Sequence, residues 1–343
     1  MRVSRIYQCG GPDVIRYEDA PEPSPQANEV LVRVRACALN HLDLWVRGGL
    51  PTLKLTFPWV LGSDAAGEIV EVGALCTRAK VGEKILVAPG RTRAASYETA
   101  HGRDNWAPDY GLFGAVYPGL NAEYVTIPEA NALPMPTGLS FPEAASIPLV
   151  FLTAWHMLVG VAKIRMLEDV LVIGGSSGVG IAAIQIAKLH HCRVIATAGG
   201  DRKLAKAKEL GADHVIDHYK QSIKDEVRRI TERRGVDLVF EHVGSATFGH
   251  SQASMARHGR LVTCGATTGF ETRLNLGHLF SKHLSLHGSY MGTMGELYDL
   301  LRFFERGLLK PVIDRAFPLS DVRAAHEFMD AKAHFGKVVI LPE

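Results

Sequence analysis

The chain has 343 residues, 47 % of them hydrophobic and 22 % charged, a globular balance that excludes intrinsic disorder. At about 150 residues per domain it has room for two domains. Its 38 Lys and Arg against 36 Asp and Glu leave a net charge of +2, which calls for no nucleic-acid partner.

Five cysteines stand at positions 9, 37, 76, 192 and 264, without any C-x-x-C. That spacing excludes a metal site made of paired cysteines. An odd, scattered set also argues against a disulfide framework and for a reducing compartment. The opening MRVSRIYQCGGPD has no apolar core of signal-peptide length. The longest apolar stretch, Ile147 to Val161, is interrupted by His156 and is shorter than the roughly 20 residues of a spanning helix. It reads as a buried helix. These features predict a soluble, cytoplasmic protein with no membrane partner.

In chain order, EVLVRVRACAL (29–39) alternates apolar and charged residues, as a half-buried strand does. GEIVEVG (67–73), EKILVAP (83–89) and AEYVTIP (122–128) follow the same pattern, bounded by Gly or Pro. This is a β-rich segment reaching to about residue 150. Within it, Gly90 to Gly119 reads as a long loop, and loops of that length are uncommon without a reason.

Strands and helices then alternate. DVLVIGG (169–175) is a continuous apolar strand, followed by a helix from Val179 to His190. RVIATAG (193–199) precedes the helix DRKLAKAKELGA, with Asp201 in the capping position. HVID (214–217), VDLVFEHV (236–243), GRLVTCGA (259–266) and LSLHGSY (284–290) continue the series. Such a pattern predicts an α/β fold with a doubly wound parallel sheet. From about Thr293 come the helix GELYDLLRFFERG, a second helix near 320–332 and the strand KVVILP (337–342), which is expected to return to the first domain.

The most specific motif is Gly174-Gly175-Ser176-Ser177-Gly178-Val179-Gly180, set between a strand and a helix. Glycines at 175, 178 and 180 let the backbone approach a pyrophosphate, and the helix N-terminus offers free N–H groups. Ser177 stands where the second glycine of G-x-G-x-x-G is usual. The second strand ends in Ala198-Gly199 without the acid that NAD enzymes use on the ribose hydroxyls. Arg202 and Lys203 follow and suit a 2′-phosphate. The reading is therefore NADP(H), with NAD and two merely solvated basic residues kept as alternatives.

The order of the segments, GSDAAGEIVEVG (62–73), the glycine turn and HFGKVVILP together resemble the medium-chain dehydrogenase/reductase superfamily over essentially the whole chain. The resemblance implies a GroES-like catalytic domain of residues 1–150 with 293–343, a Rossmann coenzyme domain of residues 151–292, and an active site in the cleft. It also implies a homodimer through the sheet edge near residues 273–290. In zinc members, the catalytic-metal ligands fall on positions held here by Asn40, Ser63 and Leu149. Cys37 is offset by three residues from the nearest of them. The ligands of the structural zinc fall on Arg93, Ser96, Thr99 and Ala107. No zinc is therefore expected, and hydrogen bonds with packing by Trp106, Tyr110 and Phe113 are expected to hold the 90–119 lobe, with a partly disordered lobe as the alternative. A new metal cluster of His41, Asp43, Asp64 and His101 stays as an alternative; His278, His283 and His287 read as surface residues.

Asn40-His41-Leu42-Asp43 is similar to the N-x-x-D pattern of the zinc-free quinone oxidoreductases and enoyl reductases. The resemblance implies hydride transfer to a quinone or an α,β-unsaturated carbonyl. Asn40 is the candidate for touching nicotinamide ribose or substrate oxygen, Asp43 for orienting that loop, and Trp45 for stacking on a flat substrate. Asp64 is a candidate for ordering the cleft, with a core hydrogen-bonding role equally open. Tyr290 is a candidate proton donor. Thr153 is the candidate nicotinamide contact, with His218 for the adenosine phosphate. Val243 and Gly244, Cys264, Gly265 and Ala266, and Ser289 and Met291 end strands where cofactors bind. Cys264 reads as a small core residue rather than a nucleophile. Two rivals remain: an alcohol dehydrogenase acting on an alcohol or aldehyde, and a non-catalytic NADPH-binding protein.

Overall fold

In the computed structural model, residues 1–342 are described, and the chain divides into two units. One is Met1–Val150 with the segment from Thr293 onward; the other is Phe151–Gly292.

In the first unit, the alternation in Glu29–Leu39 makes it the central strand of a seven-stranded sheet. Asp64–Val72 and Tyr124–Pro128 pair with it antiparallel. Lys84–Val87 and Ala132–Pro134 extend the sheet on one side. On the other, Lys337–Leu341 returns antiparallel to Glu29–Leu39, setting Val338 opposite Leu39 and Ile340 opposite Cys37. A separate three-stranded sheet holds Arg2–Ile6, Ile15–Asp19 and Trp59–Val60.

The 90–119 lobe is built from short elements rather than open loop. Gly90–Arg91 pairs with Gly111–Leu112, and Ser96 caps a one-turn helix at Tyr97–Ala100. Asp109 accepts from the Arg93 and Ala94 amides at 2.6 and 3.0 Å. Phe113 is buried and Tyr110 closes against Gly90, but Trp106 is 61 % exposed. The expected packing role of Trp106 is thus corrected: it lies in a 3-10 turn and stacks under Arg103 at the surface.

In the second unit, six parallel strands run in the order His214–Asp217, Arg193–Ala198, Asp169–Val172, Val236–Glu241, Met255–Thr263, Ser285–Gly288. The first strand in sequence is central, so the order reverses beside it, where doubly wound sheets bind their ligands. Leu171, Ile195, Val239 and Leu261 are fully buried among the covering helices, as strands covered on both faces require. The stretch around Ile147–Val161 forms the helix Pro148–Trp155, continued by a π-helical turn at His156–Val161. Two details differ from expectation. The helix after the glycine turn starts at Gly178, one residue early, because Ser177 caps it. The next is capped by Gly200 at φ 84°, with Asp201 as its first residue; only glycine adopts that φ freely. Among the described residues no helix is long and apolar enough to cross a membrane.

Candidate functional site

In the first unit, Asn40 ends the Glu29–Leu39 strand and caps the helix His41–Gly48. Its backbone N–H donates to Asp43 Oδ2 at 2.7 Å, and Asp43 Oδ1 accepts from the Gly62 amide at 2.9 Å. Asp43 thereby ties the helix start to the turn before Asp64. It is 1 % exposed, and burial pushes its carboxyl up to about 6, against these two amide donors.

The Asn40 side chain is occupied at both ends. Nδ2 donates to Asp64 Oδ2 at 2.9 Å and to the Ala38 carbonyl at 3.3 Å. Oδ1 accepts from Lys337 Nζ at 2.7 Å, and the same ammonium donates to Asp64 Oδ2 at 3.0 Å. Asp64 Oδ1 accepts from the Leu149 amide at 2.9 Å. Asp64 is 0 %, Lys337 3 % and Asn40 4 % exposed. A buried carboxylate, an amide and an ammonium thus form one closed, satisfied network.

Sequence reasoning found Asn40, Asp43 and Asp64 but missed Lys337. Its only signal was a charge at the head of an apolar strand. Trp45 lies on the same helix, half-buried, with its ring 5.0 Å from that of His41.

The residues at the zinc positions do not fit that metal. Asn40 is committed to Lys337 and Asp64. Ser63 is fully buried, and its hydroxyl donates to the Phe113 carbonyl at 2.7 Å. Leu149 has no ligating atom on its side chain. Cys37 is buried facing the Leu120 carbonyl at 3.1 Å, and burial pushes its thiol far up, away from the thiolate a metal needs. The cation beside Asp64 is already the lysine. Among the described residues no group of three or more His, Cys, Asp or Glu is arranged to hold a metal ion.

In the second unit the glycine turn fits a dinucleotide. Gly174 has φ 67°, and its amide donates to Thr197 Oγ1 at 3.0 Å. The Gly175 amide donates to the Thr197 carbonyl at 2.8 Å. A Cβ on Gly180 would stand 2.2 Å from the Gly174 carbonyl, so the helix packs on the turn only with glycine there. Ser177 Oγ accepts from the Gly180 amide at 3.0 Å and lies 3.2 Å from His242 Nε2. Gly178 and Val179 open the helix, leaving their N–H groups at its N-terminus. His242 escaped sequence reading. It follows the fourth strand, is 8 % exposed, and burial holds its imidazole below the usual range.

Glu241, also missed, is fully buried and organises the next loop. It accepts from the Val243 and Gly244 amides at 2.7 and 3.1 Å and from Ser251 Oγ at 2.6 Å. Gly265 and Ala266 pack so closely on this loop that a Cβ on Gly265 would meet the His242 carbonyl at 2.8 Å. Cys264 lies between them and the strand, and burial pushes its thiol up to about 12, consistent with an inert core thiol.

The other predicted cofactor residues are spread along the strand ends. Ala198 is buried, and the Tyr219 ring lies over Gly199, where a Cβ would be 2.2 Å from it. His218 is exposed with its ring edge-on to Tyr219 at 4.5 Å. Arg202 is exposed and Lys203 half-buried on the following helix. Lys220 pairs with Asp201 and Asp217 at 3.4 and 3.5 Å. Thr153 Oγ1 donates to Met291 Sδ at 3.5 Å, both residues being about 5 % exposed. Among the described residues Ser289 Oγ is buried without a partner, a polar group of the kind a bound ligand satisfies. Tyr290 is 56 % exposed.

Comparison with known proteins places these features in context. The model described as "Alcohol dehydrogenase GroES-like domain" matches residues 26–137, and the one described as "Zinc-binding dehydrogenase" matches residues 178–306. A quinone oxidoreductase of Pseudomonas aeruginosa is 31 % identical, covering 97 % of both chains. A structure described as an NAD-dependent alcohol dehydrogenase is 43 % identical at TM-score 0.96, covering 99 % of each chain. A crotonyl-CoA carboxylase/reductase solved in complex with NADP is 25 % identical at TM-score 0.92, covering 99 % of this chain and 94 % of that one.

Proposed function

The chain belongs to the medium-chain dehydrogenase/reductase superfamily, in its quinone oxidoreductase-like branch, and on that premise we propose that it is a zinc-independent, NADPH-dependent reductase of quinones or α,β-unsaturated carbonyl compounds. The observation that carries this reading is the Asn40–Asp64–Lys337 network. A divalent ion placed there would face the lysine ammonium at short range, with no imidazole or thiolate in the network and its one carboxylate, Asp64, already bonded to that ammonium.

Without a Lewis acid, oxidation of an alcohol needs another means of stabilising an alkoxide. A conjugated acceptor avoids that need, because its carbonyl spreads the developing charge. When bound, the dihydronicotinamide supplies the hydride to the acceptor's electrophilic carbon. The chain's part is orientation. Gly175, Ser177, Gly178, Val179 and Gly180 cradle the pyrophosphate, and Arg202 and Lys203 meet the 2′-phosphate. Thr153, Ser289 and Met291 contact the nicotinamide end. Asn40, held by Asp64 and Lys337, and Asp43, held by the Asn40 and Gly62 amides, fix the substrate loop, and Trp45 stacks on a planar substrate. Solvent or the Tyr290 hydroxyl supplies the proton.

Turnover of a quinone and enone panel with NADPH, in the presence of chelator, tests this reading. Stoichiometric zinc by metal analysis, or activity abolished by chelation, overturns it. The 43 % identity to a structure described as an NAD-dependent alcohol dehydrogenase supports a second reading, NAD-coupled oxidation of an alcohol. A primary-alcohol panel distinguishes the two.

We further infer a homodimer through the outer strand Ser285–Gly288, beside which Phe270, Leu276 and Phe280 are 77, 63 and 74 % exposed; an unpaired edge with apolar neighbours favours association. Light scattering on the eluting protein checks it. The five free cysteines suit a cytoplasmic location.

A further inference from the structure

The near-zero net charge conceals a local excess. At the amino ends of the parallel strands, opposite the glycine turn, lies a cavity of about 590 Å³. It is bordered by the turn before Val236–Glu241, the start of Met255–Thr263, and Lys282. Arg228, Arg233, Arg234, Arg257 and Lys282 line it, and Asp237 is the one acidic residue among the lining. Arg234 is neutralised by Asp237 at 2.5 Å and Asp169 at 3.4 Å.

The remaining cations have no such partners. Among the described residues, the side chains of Arg228, Arg233 and Arg257 form no hydrogen bond or ion pair. Lys282 Nζ donates only to the Met255 carbonyl, at 2.8 Å. Burial and the Arg228 charge hold its ammonium below the usual range, so positive charge is concentrated here. Three other arginines of this unit are matched: Arg193 with Asp169, Arg229 with Glu226, Arg260 with Glu168. Arg229 is the immediate neighbour of Arg228, so the contrast is local. Arg233 also holds φ 70°, a conformation costly for any side chain but glycine, asparagine or aspartate.

We propose that this cavity is a second anion site, taking a small ligand that carries two or more phosphoryl groups. Guanidinium forks match phosphoryl oxygens two at a time. A concavity lined by one sign of charge focuses its field on an incoming anion. The volume falls within the range of small-molecule sites. The six-residue strand Val236–Glu241 separates its two ends by roughly 20 Å, so the site is distinct from the glycine turn.

Inorganic tripolyphosphate is the probe, titrated calorimetrically into the full chain at low and physiological salt, with NADPH present to fill the glycine turn. One tripolyphosphate is expected to bind per chain, more weakly at the higher salt. The variant R228Q/R233Q/R257Q, whose changes are all on exposed side chains, is expected to bind at least tenfold more weakly while keeping the wild-type thermal midpoint. A failure of wild type to bind overturns the proposal. So does equal binding by the variant, which would place the anion elsewhere. Tighter binding of a glutamate-rich peptide than of tripolyphosphate also overturns it, by assigning the face to an acidic protein.

Discussion

Replacing Lys337 with methionine removes the only cation bonded to Asp64 among the described residues and takes away the Lys337 donor to Asn40 Oδ1. Asp64 is 0 % exposed, so its charge has no solvent to turn to. Breaking one side of a buried ion pair costs about 3–5 kcal/mol. In a unit of this size each kcal/mol moves the midpoint by roughly 2–4 °C, so the midpoint is expected to fall by roughly 6–20 °C. Thermal unfolding followed by circular dichroism measures it. The companion D64N/K337M removes both charges, and recovery of a large part of the loss is expected, with a coupling above about 1 kcal/mol in the double-mutant cycle. A single-variant loss below about 1 kcal/mol, or strict additivity of the two changes, would refute the account of a closed, mutually satisfied network.

Three further outcomes are expected. His326 is 0 % exposed and accepts from Arg47 Nη1 at 3.0 Å through Nδ1, and burial with the Arg47 charge lowers its pKa to about 3. The unfolded chain therefore binds the proton first, so its contribution is intact above pH 6.5 and declines by about 1.4 kcal/mol per unit as the pH falls from 6.5 toward 3; in denaturant titrations across that range, His326→Gln should flatten the slope, and an unchanged slope would exclude His326 as its source. Ser177→Ala removes a helix cap worth about 1 kcal/mol and a contact to His242, so the coenzyme KM should rise with little change in kcat; an unaltered KM would separate the cap from coenzyme binding. Arg202→Ala/Lys203→Ala should raise the KM for NADPH at least tenfold while sparing NADH, and equal effects on both coenzymes would show that neither residue meets a 2′-phosphate.

Much of the coenzyme unit was legible because its determinants are local. A continuous apolar strand, a glycine-dense turn and a helix start occupy adjacent positions, and the φ of 67° at Gly174 and the close approach of Gly180 to the Gly174 carbonyl are set within the turn itself. Likewise Asn40 and Asp43 stand three residues apart and cap one helix within their own segment. Trp106 was misjudged because an aromatic side chain signals burial only on average; its position in a surface turn left it exposed. His242 and Glu241 were passed over as the tail of an apolar strand. Their importance rests on what faces them: the glycine turn, 65 residues from His242 in the case of Ser177, and the helix beginning at Ser245.

The alternation of elements and the strand–turn–helix cradle were legible in the residues alone, because each depends on side-chain identity and short-range backbone geometry; the residue types at the zinc positions became meaningful only through the family resemblance. What Asn40 and Asp64 bond to followed only from long-range packing. Lys337 reaches Asn40 across 297 positions only because the last strand pairs antiparallel with Glu29–Leu39, setting Val338 opposite Leu39. Pairing between distant strands is selected by the burial of whole faces, and it was that packing which brought an ammonium, a carboxylate and an amide together out of water.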